Sequence, residues 1–204
     1  MARIAEVDYM AMSRQAKDMR GKGNELNTEL TTAYNSVGEM HNAWYGQRYN
    51  ELAKAFNNLA PKVNEMLKLV VGEIPFTLET IANNYAQADC GQNAGSADNT
   101  PPKTVADLAT PADVGMKFMT TEVETTKTNV STNFNNAVGK MNEIESVLGQ
   151  VQWDSEAAEA FRSKFAQLKG QITESFNDIN KQFGDLMQQT LDDIQRTETA
   201  NTVQ

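Results

Sequence analysis

The sequence is poor in the residues from which most catalytic and metal centres are built. Among its 204 residues there is one histidine, His41, and one cysteine, Cys90. One histidine cannot supply the two Glu-x-x-His pairs of a bundle di-metal site, one cysteine cannot form an internal disulfide, and no phosphate-binding loop or zinc-ligand spacing is present. We therefore predict no catalytic residue, no metal, no cofactor and no small-molecule substrate, and a protein that is not an enzyme. We expect His41 to be a surface or capping residue and Cys90 to be an exposed free thiol.

Positive charge is also scarce. The chain has 18 Lys and Arg against 27 Asp and Glu, which gives a formal charge of −9. The imbalance is concentrated in residues 91–204, which carry −7 of this charge. We therefore expect no basic face that would bind nucleic acid or an anionic membrane surface.

Long hydrophobic runs are missing as well. The longest, Met66 to Val71, is far short of a membrane span and contains Lys68. The N-terminal residues include Glu6 and Asp8 and contain no apolar stretch of signal-peptide length. We expect any secretion of this protein to be independent of a signal peptide, with a cytoplasmic location as the alternative.

The sequence is rich in helical periodicity, and strand signals are essentially absent. Apolar residues recur every three or four positions in four long stretches, three of which begin near residues 5, 47 and 111 and the fourth after Trp153. Pro61 and Pro75 lie inside the second stretch, where each is expected to kink or locally break the helix. These patterns predict an all-α protein.

A polar segment separates the second stretch from the third. Residues 90–110 are rich in Gly, Ala, Asn and Pro, which is typical of a linker. The linker ends at Thr110, Pro111 and Asp113, a capping pattern that predicts a helix start near 111, with Met116 and Met119 on its buried stripe. Residues from Thr197 onward are expected to form a frayed tail.

The two halves of the chain repeat each other. Trp44-Tyr45-Gly46 aligns with Trp153-Asp154-Ser155 at a shift of about 109 residues, and the helix breakers align as well, Pro61 with Gly170 and Pro75 with Gly184. We therefore predict a helical hairpin at 1–89, a linker at 90–110 and a second hairpin at 111–204. Because each hairpin buries one face only, the two are expected to form an antiparallel four-helix bundle, a pseudo-dimer within one chain.

A Trp-X-Gly turn between two long amphipathic helices resembles the WXG family of small type VII (ESX) secretion substrates. Trp44 and Gly46 match that turn, and Tyr85 and Asp89 match the family's Tyr-x-x-x-Asp/Glu export motif. The second copy departs from the pattern, because Ser155 replaces the glycine and the motif's tyrosine is absent. The resemblance implies a non-enzymatic protein that is recognised as a folded bundle by the type VII secretion ATPase and its machinery, and secreted. It also implies that Tyr85 lies near the Trp153 turn of the other module.

The motif residues have structural interpretations too. Trp44 and Trp153 are expected to be partly exposed, and they either plug the ends of the bundle or also serve in recognition. Gly46 permits a tight backbone that Ser155 would provide instead as a helix cap. Tyr85 is either a last core aromatic or part of an exposed signal.

Two other functions stay open at this point. The protein could be an intracellular adaptor or chaperone for a larger helical toxin or another WXG-like partner, in which case part of its apolar stripe would remain exposed. It could also be a structural protein that assembles into polymers.

Overall fold

The structure, a computed structural model, describes residues 7–112, 115–152 and 155–202. Within these residues the fold is all-α, as predicted. In chain order the helical elements are α1 (Tyr9–Met40), α2 (Gln47–Leu67), a π-helical segment (Lys68–Glu73), α3 (Ile74–Cys90), α4 (Thr120–Gln150) and α5 (Glu156–Thr202). No helix in the described ranges is long and apolar enough to cross a membrane.

One short strand pair accompanies the helices. Strand β1 (Trp44–Tyr45) pairs antiparallel with β2 (Lys117–Phe118), so that Trp44 lies opposite Phe118. This strand pair was not predicted, because two residues are too few to show an alternating pattern. The pair joins the turn after α1 to the segment that leads into α4.

The helices of the two predicted hairpins pack against each other. Residue numbers on α4 fall as those on α1 rise, so these two helices run in opposite directions. The contacts that show this are Gln15 with Gln150, Glu25 with Lys140, and Ala43 with Met119. The helices α2 and α5 also run in opposite directions, as shown by Arg48 with Asp193, Lys62 with Ser175, and Glu65 with Lys164.

A single buried core runs through both halves of the chain. Phe134 of α4 stacks on Phe176 of α5 with ring centroids 4.0 Å apart, and Phe56 of α2 lies 5.7 Å from Phe134. Tyr34 of α1 meets Phe56 edge-on, and its hydroxyl donates to the Phe56 carbonyl at 2.7 Å. The buried hydroxyl therefore has a partner, as a polar group inside an apolar core requires.

The predicted helix breakers have a smaller effect than expected. Pro61 lies inside the continuous helix α2. Pro75 follows the π-helical segment at the start of α3. Since proline has no N–H, it leaves the Val71 carbonyl without its usual helical donor, and Arg20 Nε donates to that carbonyl at 3.2 Å. The second arm of the first hairpin thus stays helical from residue 47 to 90, with the π-helical segment between α2 and α3.

The prediction of a helix start near 111 is wrong, since α4 begins at Thr120. The Pro111 carbonyl accepts a hydrogen bond from Asn50, and Gly115 has a φ of +102°, which is outside the helical region. Asp113 lies outside the described residues. Met116 and Met119 precede the helix and are 52% and 40% exposed, so they are not on a buried stripe.

The expectation of a frayed tail is also wrong, because α5 continues to Thr202. Near its end, the hydroxyls of Thr197, Thr199 and Thr202 each donate to the backbone carbonyl four residues earlier. The last residues of α5 are exposed, so the helix is held there by hydrogen bonds within itself and not by packing against other elements.

Candidate functional site

The Trp44 turn is an apolar joint between the two halves of the chain. Trp44 is only 1% exposed, so the expectation that it would be partly exposed is wrong. Its ring meets Phe118 edge-on at 5.5 Å and stacks on Phe183 at 6.0 Å. Sequence reasoning missed this because β2 and α5 cover the indole, and neither adjoins it in sequence. In this structure Trp44 closes one end of the core.

Gly46 gives this turn its backbone shape. Its φ is +117°, a conformation that side chains disfavour, and it is the N-cap residue of α2. A Cβ at this position would also lie 3.4 Å from the Gly115 carbonyl oxygen. The residue type that the sequence pattern singled out is therefore the one that the turn needs.

Charged and aromatic residues surround the same turn. Arg48 donates to the Asp193 carboxylate of α5, and this hydrogen bond is the main reason why the pKa of Asp193 is lowered. His41 is the C-cap residue of α1, with its ring 4.9 Å from that of Tyr49. The expected capping position of His41 is confirmed.

Tyr85 and Asp89 lie at the opposite end of the first hairpin, on the surface of α3. Tyr85 is 44% exposed, whereas its neighbours Ala82 and Ala86 are buried. Tyr85 is therefore not a core aromatic. Because residues four apart lie one above the other on a helix, Tyr85 and Asp89 present a tyrosine ring and a carboxylate on one exposed face.

Asp89 is held by a residue that the sequence analysis did not identify. The Tyr9 hydroxyl, in the first turn of α1, donates to Asp89 Oδ2 at 2.6 Å. This hydrogen bond is the largest cause that raises the pKa of Tyr9 to about 12. A hairpin brings the first turn of one helix beside the last turn of the other, and that geometry is the signal that could have pointed to Tyr9.

The same end of the first hairpin lies beside the turn between α4 and α5. Gln15 donates to the Gln150 carbonyl at 3.2 Å, and a small cleft is lined by Asp8, Gln15, Gln150 and Gln152. Ser155 Oγ accepts from the Ala158 backbone N–H at 3.1 Å, so its predicted role as a helix cap is confirmed. Trp153 and Asp154 lie outside the described residues.

Comparison with known protein families finds a match to the first hairpin. Residues 5–90 match the WXG100 family model, described as proteins of 100 residues with WXG. The first hairpin resembles the WXG family. No curated protein and no solved structure matches the chain. The WXG-like hairpin therefore comprises α1 to α3, and it contains Trp44, Gly46, Tyr85 and Asp89.

The Tyr85 end of the WXG-like hairpin also carries an exposed thiol. In the described parts of the chain, no three or more His, Cys, Asp or Glu residues cluster in a way that could hold a metal ion. Cys90 is exposed, as expected, and it follows Asp89 directly. What this surface offers a partner is a tyrosine ring and a carboxylate at one end of a folded hairpin.

Proposed function

We propose that this is a non-enzymatic WXG-like protein that a type VII (ESX) secretion system recognises as a folded helical bundle and exports. The observation that carries the proposal is the family match over residues 5–90. Two features of the hairpin support it. Trp44 and Gly46 form the turn, and Tyr85 and Asp89 are exposed where the following helix ends. The implied partner is the secretion ATPase with its machinery.

We further infer that the second hairpin takes the place of a separate partner chain. The opposite directions of α1 and α4, and of α2 and α5, support an antiparallel four-helix bundle that acts as a pseudo-dimer. The burial of Trp44 against Phe118 and Phe183 supports the same arrangement. The end of α4 would then lie at the Tyr85 end of the first hairpin, where Gln15 donates to the Gln150 carbonyl.

Export can be tested by replacing Tyr85 or Asp89 with Ala in the native host. Because Tyr85 is exposed, we expect Tyr85→Ala to change the thermal unfolding midpoint little, as is usual for surface substitutions. Asp89→Ala also removes the acceptor of the Tyr9 hydroxyl and should lower the midpoint slightly. We expect the protein in the culture medium to fall to the level of a strain without the type VII ATPase. The measurement is immunoblotting of medium and cells. Asn84→Ala, an exposed neighbour on the same helix, is the matched control and should be exported normally.

Two outcomes of this experiment would contradict the proposal. Export of the unaltered protein at the same level without the ATPase would exclude the type VII route. Normal export of both variants, with ATPase dependence kept, would leave the route in place and exclude Tyr85 and Asp89 as its signal.

The adaptor hypothesis requires an apolar stripe that the bundle leaves uncovered. Among the described residues the exposed large apolar side chains are Met10, Tyr85, Met116 and Met119. Met10 and Tyr85 lie at one end of the hairpin and the two methionines at the other, so they do not form a stripe along a helix. This distribution favours the secretion proposal over a groove for a helical toxin.

A further inference from the structure

The segment between the hairpins is bound along the first hairpin, although its composition is that of a linker. From Gly91 to Ala112 it contains no regular secondary structure. Its backbone nevertheless bonds to side chains of α1, α2 and α3 over most of this length. The backbone groups involved belong to Ala94, Gly95, Asp98, Lys103, Val105, Leu108 and Pro111.

Three asparagines of α2 are regularly spaced under the segment. We call Asn50, Asn57 and Asn64 the asparagine ladder; they lie seven residues apart on the helix. Their partners are Pro111, Leu108 and Val105, which lie three residues apart in the extended chain. Seven helical residues span about 10.5 Å, and three extended residues span roughly 9 to 10 Å. The two spacings match, so successive asparagines of the ladder bind backbone residues that lie three positions apart.

Two amides of the ladder, those of Asn57 and Asn64, each bind both polar groups of one backbone residue. Asn57 donates to the Leu108 carbonyl at 3.0 Å and accepts from its N–H at 2.7 Å. Asn64 does the same with Val105, at 3.1 and 2.9 Å. A carboxamide suits this task because it carries a donor and an acceptor side by side. These contacts recognise extended backbone rather than particular side chains.

The third position shows what the ladder requires of its ligand. Asn50 donates to the Pro111 carbonyl at 2.7 Å, but proline has no N–H to return. Asn50 Oδ1 is accordingly buried with no hydrogen-bond partner among the described residues. The same double contact is thus built at three positions and completed at two of them.

A buried ion pair holds the segment further upstream. Glu79 is fully buried, and both of its carboxylate oxygens accept from the Arg20 guanidinium, at 3.4 and 3.2 Å. Arg20 also donates to the Asp98 carbonyl at 2.9 Å, while the Asp98 N–H donates to Glu79 at 3.3 Å. The Asp98 backbone therefore completes the hydrogen bonding of a pair that would be costly to leave incomplete.

Two apolar side chains of the bound segment pack into or against the core. Val105 is 5% exposed and belongs to the core, and Leu108 packs against the core from the edge. The two anchors are three residues apart, and they are the same two residues whose backbone Asn64 and Asn57 bind. A segment bound to the ladder thus needs free backbone groups and two apolar side chains three residues apart.

We propose that the asparagine ladder and the apolar surface that holds Val105 and Leu108 form a binding site for extended polypeptide, whose resident ligand is the chain's own residues 103–111. Because the polar contacts are made to backbone, the site also binds this segment when it is supplied as a separate peptide. In the intact protein the tethered segment keeps the site full.

The test uses a labelled peptide of residues 101–112 and the full-length chain. Val105→Asp with Leu108→Asp removes the apolar anchors of the resident segment and should release it. We expect this variant to bind the peptide, measured by fluorescence anisotropy up to about 1 mM, the effective concentration of a short flexible tether. The unaltered protein should bind at least tenfold more weakly because its site is occupied.

Removing the ladder supplies the specificity control. Adding Asn57→Ala and Asn64→Ala to the released variant deletes four hydrogen bonds, and we expect at least tenfold weaker peptide binding. Adding Asn58→Ala, an exposed neighbour, should leave binding unchanged. The proposal fails if the folded released variant binds no peptide, or if it binds equally well without the ladder.

A second measurement does not depend on the released variant being folded. Hydrogen exchange of the unaltered chain should show the Val105 and Leu108 amides protected, because both donate to the ladder. Asn57→Ala with Asn64→Ala should abolish that protection while the core amides of α2 keep theirs. Exchange of both amides at the unprotected rate in the unaltered chain would overturn the proposal.

Discussion

Tyr9 and Asp89 fasten the first turn of α1 to the last turn of α3 by one hydrogen bond. The bond and the nearby negative charge favour the neutral phenol, which is why the pKa of Tyr9 rises from 10.0 to about 12. Because the pKa of Tyr9 is higher in the folded state than in the unfolded state, the protonated tyrosine stabilises the fold at pH values below about 10. That contribution is lost as the pH rises from 10.0 to about 12.

Asp89→Asn should return the pKa of Tyr9 towards its ordinary value, because the carboxylate acceptor and its charge are both removed. NMR titration of the tyrosine ring carbons measures this pKa, with Tyr9→Phe assigning the signal. A Tyr9 that titrates equally in both proteins would contradict the contact. The same variants separate two roles in export, because Tyr9→Phe leaves the Asp89 carboxylate in place. If Asp89 is recognised directly, Tyr9→Phe should be exported and Asp89→Asn should not.

The elements of the first hairpin could be predicted from sequence because local signals mark both of their ends. Trp-Tyr-Gly separates the first two helices, and α3 ends at Cys90 where Gly91 adopts a positive φ. The start of α4 could not be predicted in this way. Thr110, Pro111 and Asp113 satisfy a local capping pattern, yet the Pro111 carbonyl is bound by Asn50 of α2.

The same distinction applies to the candidate site. Tyr85 and Asp89 were found because a resemblance covers a contiguous stretch of sequence. Tyr9 and the asparagine ladder were missed because each acts on residues far away in the chain. The seven-residue spacing of the asparagines is visible in the sequence. Its role could not be predicted, because it depends on the distant segment whose backbone the asparagines bind at every third residue.

At the scale of this element, Pro111→Ala should complete the ladder. Alanine supplies the N–H that Asn50 Oδ1 lacks, and a new hydrogen bond contributes about 1 kcal/mol. Loss of proline's rigidity offsets this by about 0.4 to 1 kcal/mol, so the single variant should differ little from the parent. The informative quantity is the cost of Asn50→Ala, which should be about 1 kcal/mol larger when residue 111 is Ala. Urea unfolding of the four proteins measures it, and an equal cost in both backgrounds would contradict the double contact.

At the scale of the whole molecule, apolar contacts connect the two hairpins more strongly than charges do. The ion pairs between them, such as Lys140 with Glu25 and Lys164 with Glu65, are partly exposed and contribute little. Phe134 and Phe176 of the second hairpin instead pack beside Phe56 of the first in one core. We therefore expect the two hairpins to unfold together.

Phe134→Ala tests this expectation, since it removes a fully buried ring and should lower the free energy of unfolding by about 3 to 5 kcal/mol. Replacing Trp153 with Phe throughout leaves Trp44 as the sole tryptophan, a fluorescence probe of the contact between the first hairpin and Phe183 of the second. If both hairpins share one core, the Trp44 transition in urea should shift with Phe134→Ala and coincide with the far-UV circular dichroism transition. Asn135→Ala, an exposed neighbour, should shift neither. A Trp44 transition that stays in place while the helical signal shifts would show that the two hairpins do not unfold as one cooperative unit.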